Sequence, residues 1–336
     1  MRIKQIVLAS RPKGLPALTD FRTEEVTLPD LKEGEVLLKP LYYSVDPYMR
    51  GRMNEGKSYI PPFEVNAPIE SGAIATIAES KDKNLQPGDV VIAASSRPLL
   101  PWATGIIRKG SDVRKTDSEI PPTYYLGLLG MPGLTAYFGL MDIGKPKTGE
   151  TVVVSGAAGA VGIVVGQIAK LQGCRVVGIA GGAEKVKMLT DKFNFDVAID
   201  YKGNPDISKA IAAACPNGVD IYFDNVGGEI SDAVVNQINF HGRIPLCGQI
   251  ALYNSTETPV GPRWQPTLLT RSVLLQGFVI GNYASRFQEG IGQLAGWVKA
   301  GKLKYTETIE EGFDHLPDAL LGLFSGRNNG KMIVKV

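Results

Sequence analysis

The chain has 336 residues with 36 basic against 34 acidic side chains, so two domains with proper cores are expected and a nucleic-acid surface is not. Its apolar runs are broken by Gly, Pro or charge short of the roughly 20 residues that a membrane span needs. Three isolated cysteines (Cys174, Cys215, Cys247) and two histidines (His241, His315) exclude a disulfide framework and a spaced zinc cluster.

The opening MRIKQIVLASRPKG carries too short an apolar run for a secretory signal and reads as a first strand, which predicts a cytoplasmic protein. Up to Leu126 the text is rich in Pro and Gly, and EVLLKPLYYSVDPYMR, SGAIATIAES and GDVVIAASS read as short strands joined by turns. From Gly127 the character changes. GLTAYFGLMDI reads as a helix, and the apolar runs TVVVSG, RVVGIAG, DVAIDY, VDIYFDN, RIPLCG and LLQGFVI follow. Helix-like segments at 161–171, 184–193 and 230–238 separate several of them, which predicts a parallel sheet covered on both faces. The last thirty residues return to strand, helix, strand. The expected division is therefore residues 1–126, completed by 306–336, around an α/β domain at 127–305.

In SGAAGAVG the residues Ala157, Gly159 and Gly162 form an A-x-G-x-x-G variant of the dinucleotide fingerprint, between an apolar strand and a helix. Gly159 would let the backbone approach a pyrophosphate, and Gly162 would let the helix press on the sheet. An NAD-binding unit normally ends its second strand in Asp or Glu, to bond the ribose 2′-hydroxyl. Here Gly181 and Gly182 stand in that place and Lys185 follows. A cation in the first turn of a helix opposes the macrodipole, and a 2′-phosphate would reverse that cost. The pattern favours NADP(H), with a solvated surface lysine as the plainer alternative.

On these residues, together with SVDPYMRGRM, GMPGLTAYFGL, YFDNVGGE, LCGQIALYN and NNGKMIVKV, the chain resembles the zinc-free medium-chain dehydrogenase/reductases. Within them it is similar to the leukotriene B4 dehydrogenase, prostaglandin reductase and NADP-dependent alkenal double-bond reductase group. The resemblance covers nearly the whole chain. It implies a Rossmann-type doubly wound parallel sheet beside a mainly β GroES-like domain. It also implies a pyrophosphate turn at Gly159, Ala160, Val161 and Gly162, and a 2′-phosphate pair in Lys185 and Tyr201. Asn225 would then make a contact at the fourth strand's end, Cys247, Gly248 and Tyr253 would line the nicotinamide half, Phe278 to Ile280 would offer backbone groups to its carboxamide, and Asn328 would reach back from the C-terminal segment. For Tyr201, Asn225 and Cys247 the plainer alternatives are a surface aromatic, a turn former and a packing residue.

Neither Cys nor His occurs before Cys174, so the catalytic zinc of the alcohol dehydrogenases in the same superfamily has no ligands in the first domain. Without a Lewis acid, conjugate reduction of an enone or enal is the easier hydride reaction. Charge then develops on the carbonyl oxygen, where a hydroxyl donor would stabilise it. The resemblance points to Tyr253 and Tyr48 as catalytic tyrosines from the two domains, with the site in the cleft between them. Arg50 and Arg52 read as structural or solvated charges, with attraction of an anionic substrate tail as the alternative. A quinone reductase and a low-turnover NADPH-binding protein remain as other functions. The group's usual homodimer would extend the α/β sheet through SVLLQGFVI as an edge strand.

Overall fold

The computed structural model describes residues 1–94 and 99–336, and the chain divides into two compact units. The first contains Met1–Gly127, Thr308–Asn328 and Met332–Val336; the second contains Leu128–Glu307 and Asn329–Lys331.

The first unit is mainly β. A hairpin pairs Arg2–Leu8 with Phe21–Thr27, and a seven-stranded sheet is built around Glu35–Ser44. That central strand pairs antiparallel with Ala73–Ser80, Ile106–Lys109 and Lys331–Lys335. It contains Pro40, and its register against Ala73–Ser80 shifts between Pro40 and Tyr42. A proline has no N–H for the ladder, so an irregularity there is expected. Val36, Leu38, Tyr43, Ala75 and Trp102 pack with Leu316, Leu320 and Met332, so C-terminal residues complete this core. The SVDPYMR segment forms a short helix, Tyr48–Arg52. The GDVVIAASS strand is observed at Val90–Ala93, and its expected last two residues, Ser95 and Ser96, lie outside the described residues.

The second unit holds six parallel strands in the order Val197–Asp200, Arg175–Ala180, Thr151–Ser155, Val219–Phe223, Ile238–Leu246, Leu274–Gly277. The earliest strand of the unit lies inside the sheet, so the chain winds outward to both sides of it, as in a doubly wound fold. Thr151–Ser155 is buried along its whole length, as strands covered on both faces are. Leu274–Gly277 lies at one edge, where the sequence placed an edge strand.

Two expectations need correction. The single helix read from GLTAYFGLMDI is an α-helix over Met131–Phe138 that widens into a π-helical turn over Gly139–Gly144. A side chain at Gly139 would meet the rings of Phe278 and Phe223, partners the local sequence does not show. The helix expected at 230–238 stops at Val235, because buried Ile238 is taken into the sheet beside Val219.

Candidate functional site

The glycine turn leaves the strand at Ser155. Gly159 donates its N–H to the carbonyl of Gly156 at 3.0 Å, and the helix Gly162–Leu171 begins beyond partly buried Ala160 and Val161. A Cβ at Gly162 would lie 2.5 Å from the Gly156 oxygen and 2.6 Å from Ala157 Cα, so only glycine lets the helix start there. The first-turn N–H groups and positive end of such a helix suit a phosphate anion. Gly330 donates its N–H to the Ala158 carbonyl at 2.8 Å and pairs with Gly159. The terminal segment thus meets the turn through Gly330, while Asn328 falls within the first unit.

The strand Arg175–Ala180 ends in Gly181 and Gly182, and Lys185 lies in the first turn of the helix Ala183–Phe193. The acid missing here appears one strand further on. Asp200 accepts the N–H groups of Gly182 at 2.8 Å and Lys202 at 3.0 Å, and these bonds hold its carboxyl below the usual range. That carboxylate therefore serves the loop backbone. A Cβ at Gly181 would lie 2.9 Å from Lys202 Cε and 3.0 Å from the Tyr201 ring. Burial first, and then the charge of Lys202, hold the Lys185 ammonium below its ordinary pKa. Two ammonium groups and a phenol ring gathered at adjacent strand ends fit a ribose 2′-phosphate better than an uncharged hydroxyl. Lys202 was missed in the sequence because only the return of the chain through Val197–Asp200 brings it beside Gly181.

Around the other strand ends, Asn225 is tied to Ser155: its backbone N–H donates to the serine hydroxyl at 3.0 Å and its side chain to the carbonyl at 2.8 Å. Cys247 and Gly248 donate their N–H groups to the Asp224 carbonyl at 2.8 and 3.0 Å. Burial, with the Asp224 charge, pushes the Cys247 thiol up to about 12, which leaves it inert at neutral pH. The Tyr253 hydroxyl accepts the Gln249 N–H at 3.2 Å, and burial raises the phenol above its ordinary range. Phe278 meets Phe223 and Tyr283 edge-on, each at 6.3 Å between ring centres, and Ile280 opens the turn that follows. The aromatic contacts fix the backbone of this segment by packing.

In the first unit, Tyr48 opens the short helix, and burial, then Asp46, raise its phenol strongly. Arg50 donates to the Gly14 carbonyl and the Asn54 side chain, each at 2.7 Å. Arg52 donates to the Pro61 carbonyl at 2.9 Å, lies 3.5 Å from the Glu70 carboxylate and stacks 4.0 Å over the Phe63 ring. Both arginines are loop ties, as the structural reading of the sequence held. Among the described residues no group of three His, Cys, Asp or Glu side chains is placed to hold a metal ion.

Residues 4–115 match the family model described as the N-terminal domain of oxidoreductase, and residues 160–296 match that described as zinc-binding dehydrogenase. The NADPH-dependent curcumin reductase of Escherichia coli is 45% identical over 341 residues, covering 100% of this chain and 97% of that one. The chain belongs to the medium-chain dehydrogenase/reductase family. Within this family it is also similar to bovine prostaglandin reductase 1, with 44% identity covering 96% and 95% of the two chains. The NADP(+)-dependent 2-alkenal reductase of Nicotiana tabacum is 42% identical, covering 99% and 97%. Among solved structures, CurA of Vibrio vulnificus in complex with NADPH superposes with a TM-score of 0.93, at 42% identity and 99% coverage of both chains. A quinone oxidoreductase of Escherichia coli, at 18% identity and a TM-score of 0.75, shares the medium-chain fold alone.

Proposed function

We propose that this protein reduces the carbon–carbon double bond of α,β-unsaturated aldehydes and ketones, using NADPH and no metal. One observation carries the reading: the Tyr253 hydroxyl has its oxygen engaged by the Gln249 N–H, so its own hydrogen is available to a substrate carbonyl or enolate. The curcumin, prostaglandin and 2-alkenal reductases among the relatives support the substrate class.

The cofactor is NADP(H), which supplies hydride to the substrate β-carbon when bound. The turn Gly159 to Gly162 binds the pyrophosphate, and Lys185, Lys202 and Tyr201 bind the 2′-phosphate. Asn225, Cys247 to Tyr253, Phe278, Ile280 and Asn328 hold the nicotinamide half. Tyr253 donates a hydrogen bond to the oxygen where enolate charge develops and then releases its proton, while Tyr48 orients the substrate. The working protein is a homodimer formed through the exposed edge strand Leu274–Gly277, which gel filtration tests.

The deciding measurement is NADPH oxidation with 4-hydroxynonenal, a curcumin-like enone and a quinone. Turnover of the first two is expected. Turnover of the quinone alone would make the protein a quinone reductase, and turnover of none would leave a binding role. Tyr253→Phe is expected to lower kcat and kcat/KM together by about tenfold, as loss of a donor that acts in the transition state does. A rise in KM alone would mean that Tyr253 only holds the substrate.

A further inference from the structure

The second unit contains a fully buried carboxylate that the proposed reaction does not itself use. Asp224 lies just after the strand Val219–Phe223. One of its oxygens accepts the N–H groups of Val226 and Gly227, each at 2.9 Å, the Tyr222 hydroxyl at 3.0 Å and the Ser155 hydroxyl at 3.2 Å. The other accepts the Ser231 hydroxyl at 2.8 Å and the Gln249 side-chain amide at 3.3 Å. Four of these donors belong to the two strand ends and the turn after the second, and Ser231 to the helix Gly228–Val235, which makes the carboxylate a fixed anchor. The sixth donor, Gln249, belongs to the segment that ends in Tyr253.

Gln249 is seated there by a glycine. A Cβ at Gly227 would lie 2.3 Å from the Gln249 side-chain oxygen, and the Gly227 φ of +75° is one that other residues rarely adopt. The Asn-Val-Gly-Gly turn thus leaves a slot that the Gln249 carboxamide fills, and the backbone N–H of the same residue meets the Tyr253 hydroxyl oxygen at 3.2 Å.

We infer that Asp224 and Gln249 are positioning residues for the Tyr253 phenol. The buried carboxylate grips the carboxamide, the carboxamide fixes the turn, and the turn holds its N–H on the phenol oxygen. This inference rests on the proposed role of Tyr253 as proton donor and deepens it. With its acceptor side engaged, the phenol turns its hydrogen away from Gln249, toward substrate. Hydride from NADPH gives the β-carbon its new C–H bond, and the former π pair becomes the enolate. The Tyr253 O–H bond then breaks, its proton forms the new bond at the α-carbon, and the phenolate left behind keeps the Gln249 N–H until water reprotonates it. A backbone N–H carries no titratable proton and is already oriented before charge appears, so it stabilises the phenolate without reorganisation. It also offsets the neighbours that oppose ionisation: burial, Cys247 and Asp224 all push the phenol up.

The test uses Gln249→Ala, Gln249→Glu, Tyr253→Phe and the double variant Gln249→Ala/Tyr253→Phe, all in the full chain. Asp224→Asn is set aside because so many donors depend on that carboxylate. Gln249→Ala should lower kcat by about tenfold, the worth of one well-placed hydrogen bond, with KM for NADPH little changed. The double variant should be no slower than Tyr253→Phe. Gln249→Glu should regain activity as pH falls, because the introduced carboxyl donates to Asp224 as the amide did only while it keeps its proton. An ultraviolet difference titration of the cofactor-free protein against Tyr253→Phe isolates this phenol, and Gln249→Ala should move its ionisation to higher pH. Wild-type kcat in Gln249→Ala, losses that multiply with those of Tyr253→Phe, or an unmoved titration would each overturn the inference. If Tyr253→Phe keeps wild-type kcat, the proton-donor reading itself fails, and the titration still decides whether Gln249 governs the phenol.

Discussion

The two units use certain basic side chains in opposite ways. In the first, Arg11, Arg50 and Arg52 all end on backbone carbonyls of other segments: Met53 and Phe63 for Arg11, Gly14 for Arg50 and Pro61 for Arg52. Each guanidinium has at least one backbone acceptor already. In the second, Lys185 and Lys202 stand close enough that one depresses the other's pKa, and Gly181 keeps the space beside them clear of a side chain. A settled charge is architecture, whereas a charge held against its like is a place prepared for an anion. From sequence Arg50 and Arg52 already read as structural or solvated charges and Lys185 as a phosphate partner, whereas Lys202 looked like one more isolated cation.

The largest expected effect sharpens the contrast on the ligand side. Gly162→Val would press side-chain atoms into the Gly156 carbonyl and Ala157 backbone, so it should abolish cofactor binding and cost about 3 kcal/mol or more of stability in thermal unfolding. Arg50→Met comes next, as a test of the architectural side. Loss of its bonds to Gly14 and Asn54 should cost about 2–3 kcal/mol, while NADPH affinity of the folded protein, measured by fluorescence, stays within twofold. Weakened NADPH binding in a fully stable protein would break the comparison.

Lys202→Ala should change little in stability and weaken NADPH about ten- to a hundredfold, with NADH nearly unaffected; Lys185→Ala should do the same. The same pair predicts a pH trend. The Lys185 pKa lies below that of an ordinary lysine, so its charge is lost earlier as pH rises. NADPH affinity should therefore decline in the alkaline range before NADH affinity does, in paired titrations. The smallest effect is expected at Gly51→Ala, an exposed position in the short helix of the first unit, where an added Cβ meets nothing within 4 Å. A gain of up to about 1 kcal/mol is expected from the stiffer unfolded chain.

The sheet of the second unit was readable because its central strands are buried on both faces and so read as nearly continuous apolar runs. The glycine turn was readable because Gly162 is demanded by contacts within six residues of itself. Lys202 and the Asp224 to Gln249 bond were not, since they join segments 17 and 25 residues apart whose meeting depends on strand order. The same is true of the π-helical turn, where Gly139 faces rings from Phe223 and Phe278. The helix Phe287–Lys299 went unread for another reason: its four-residue run Gly290, Ile291, Gly292, Gln293 looks like punctuation, and Gly290 is in fact packed on Leu134 and Phe138.

Gly181 sets a limit on how this protein can change. A lineage drifting toward NADH would ordinarily gain an acid at the end of the second strand, and here a side chain at Gly181 would have to displace the exposed ends of Lys202 and Tyr201 before it reached a ribose. The side chains that such an acid must push aside are the ones that mark the place for the extra phosphate, so one substitution would both add the new contact and disturb the old one.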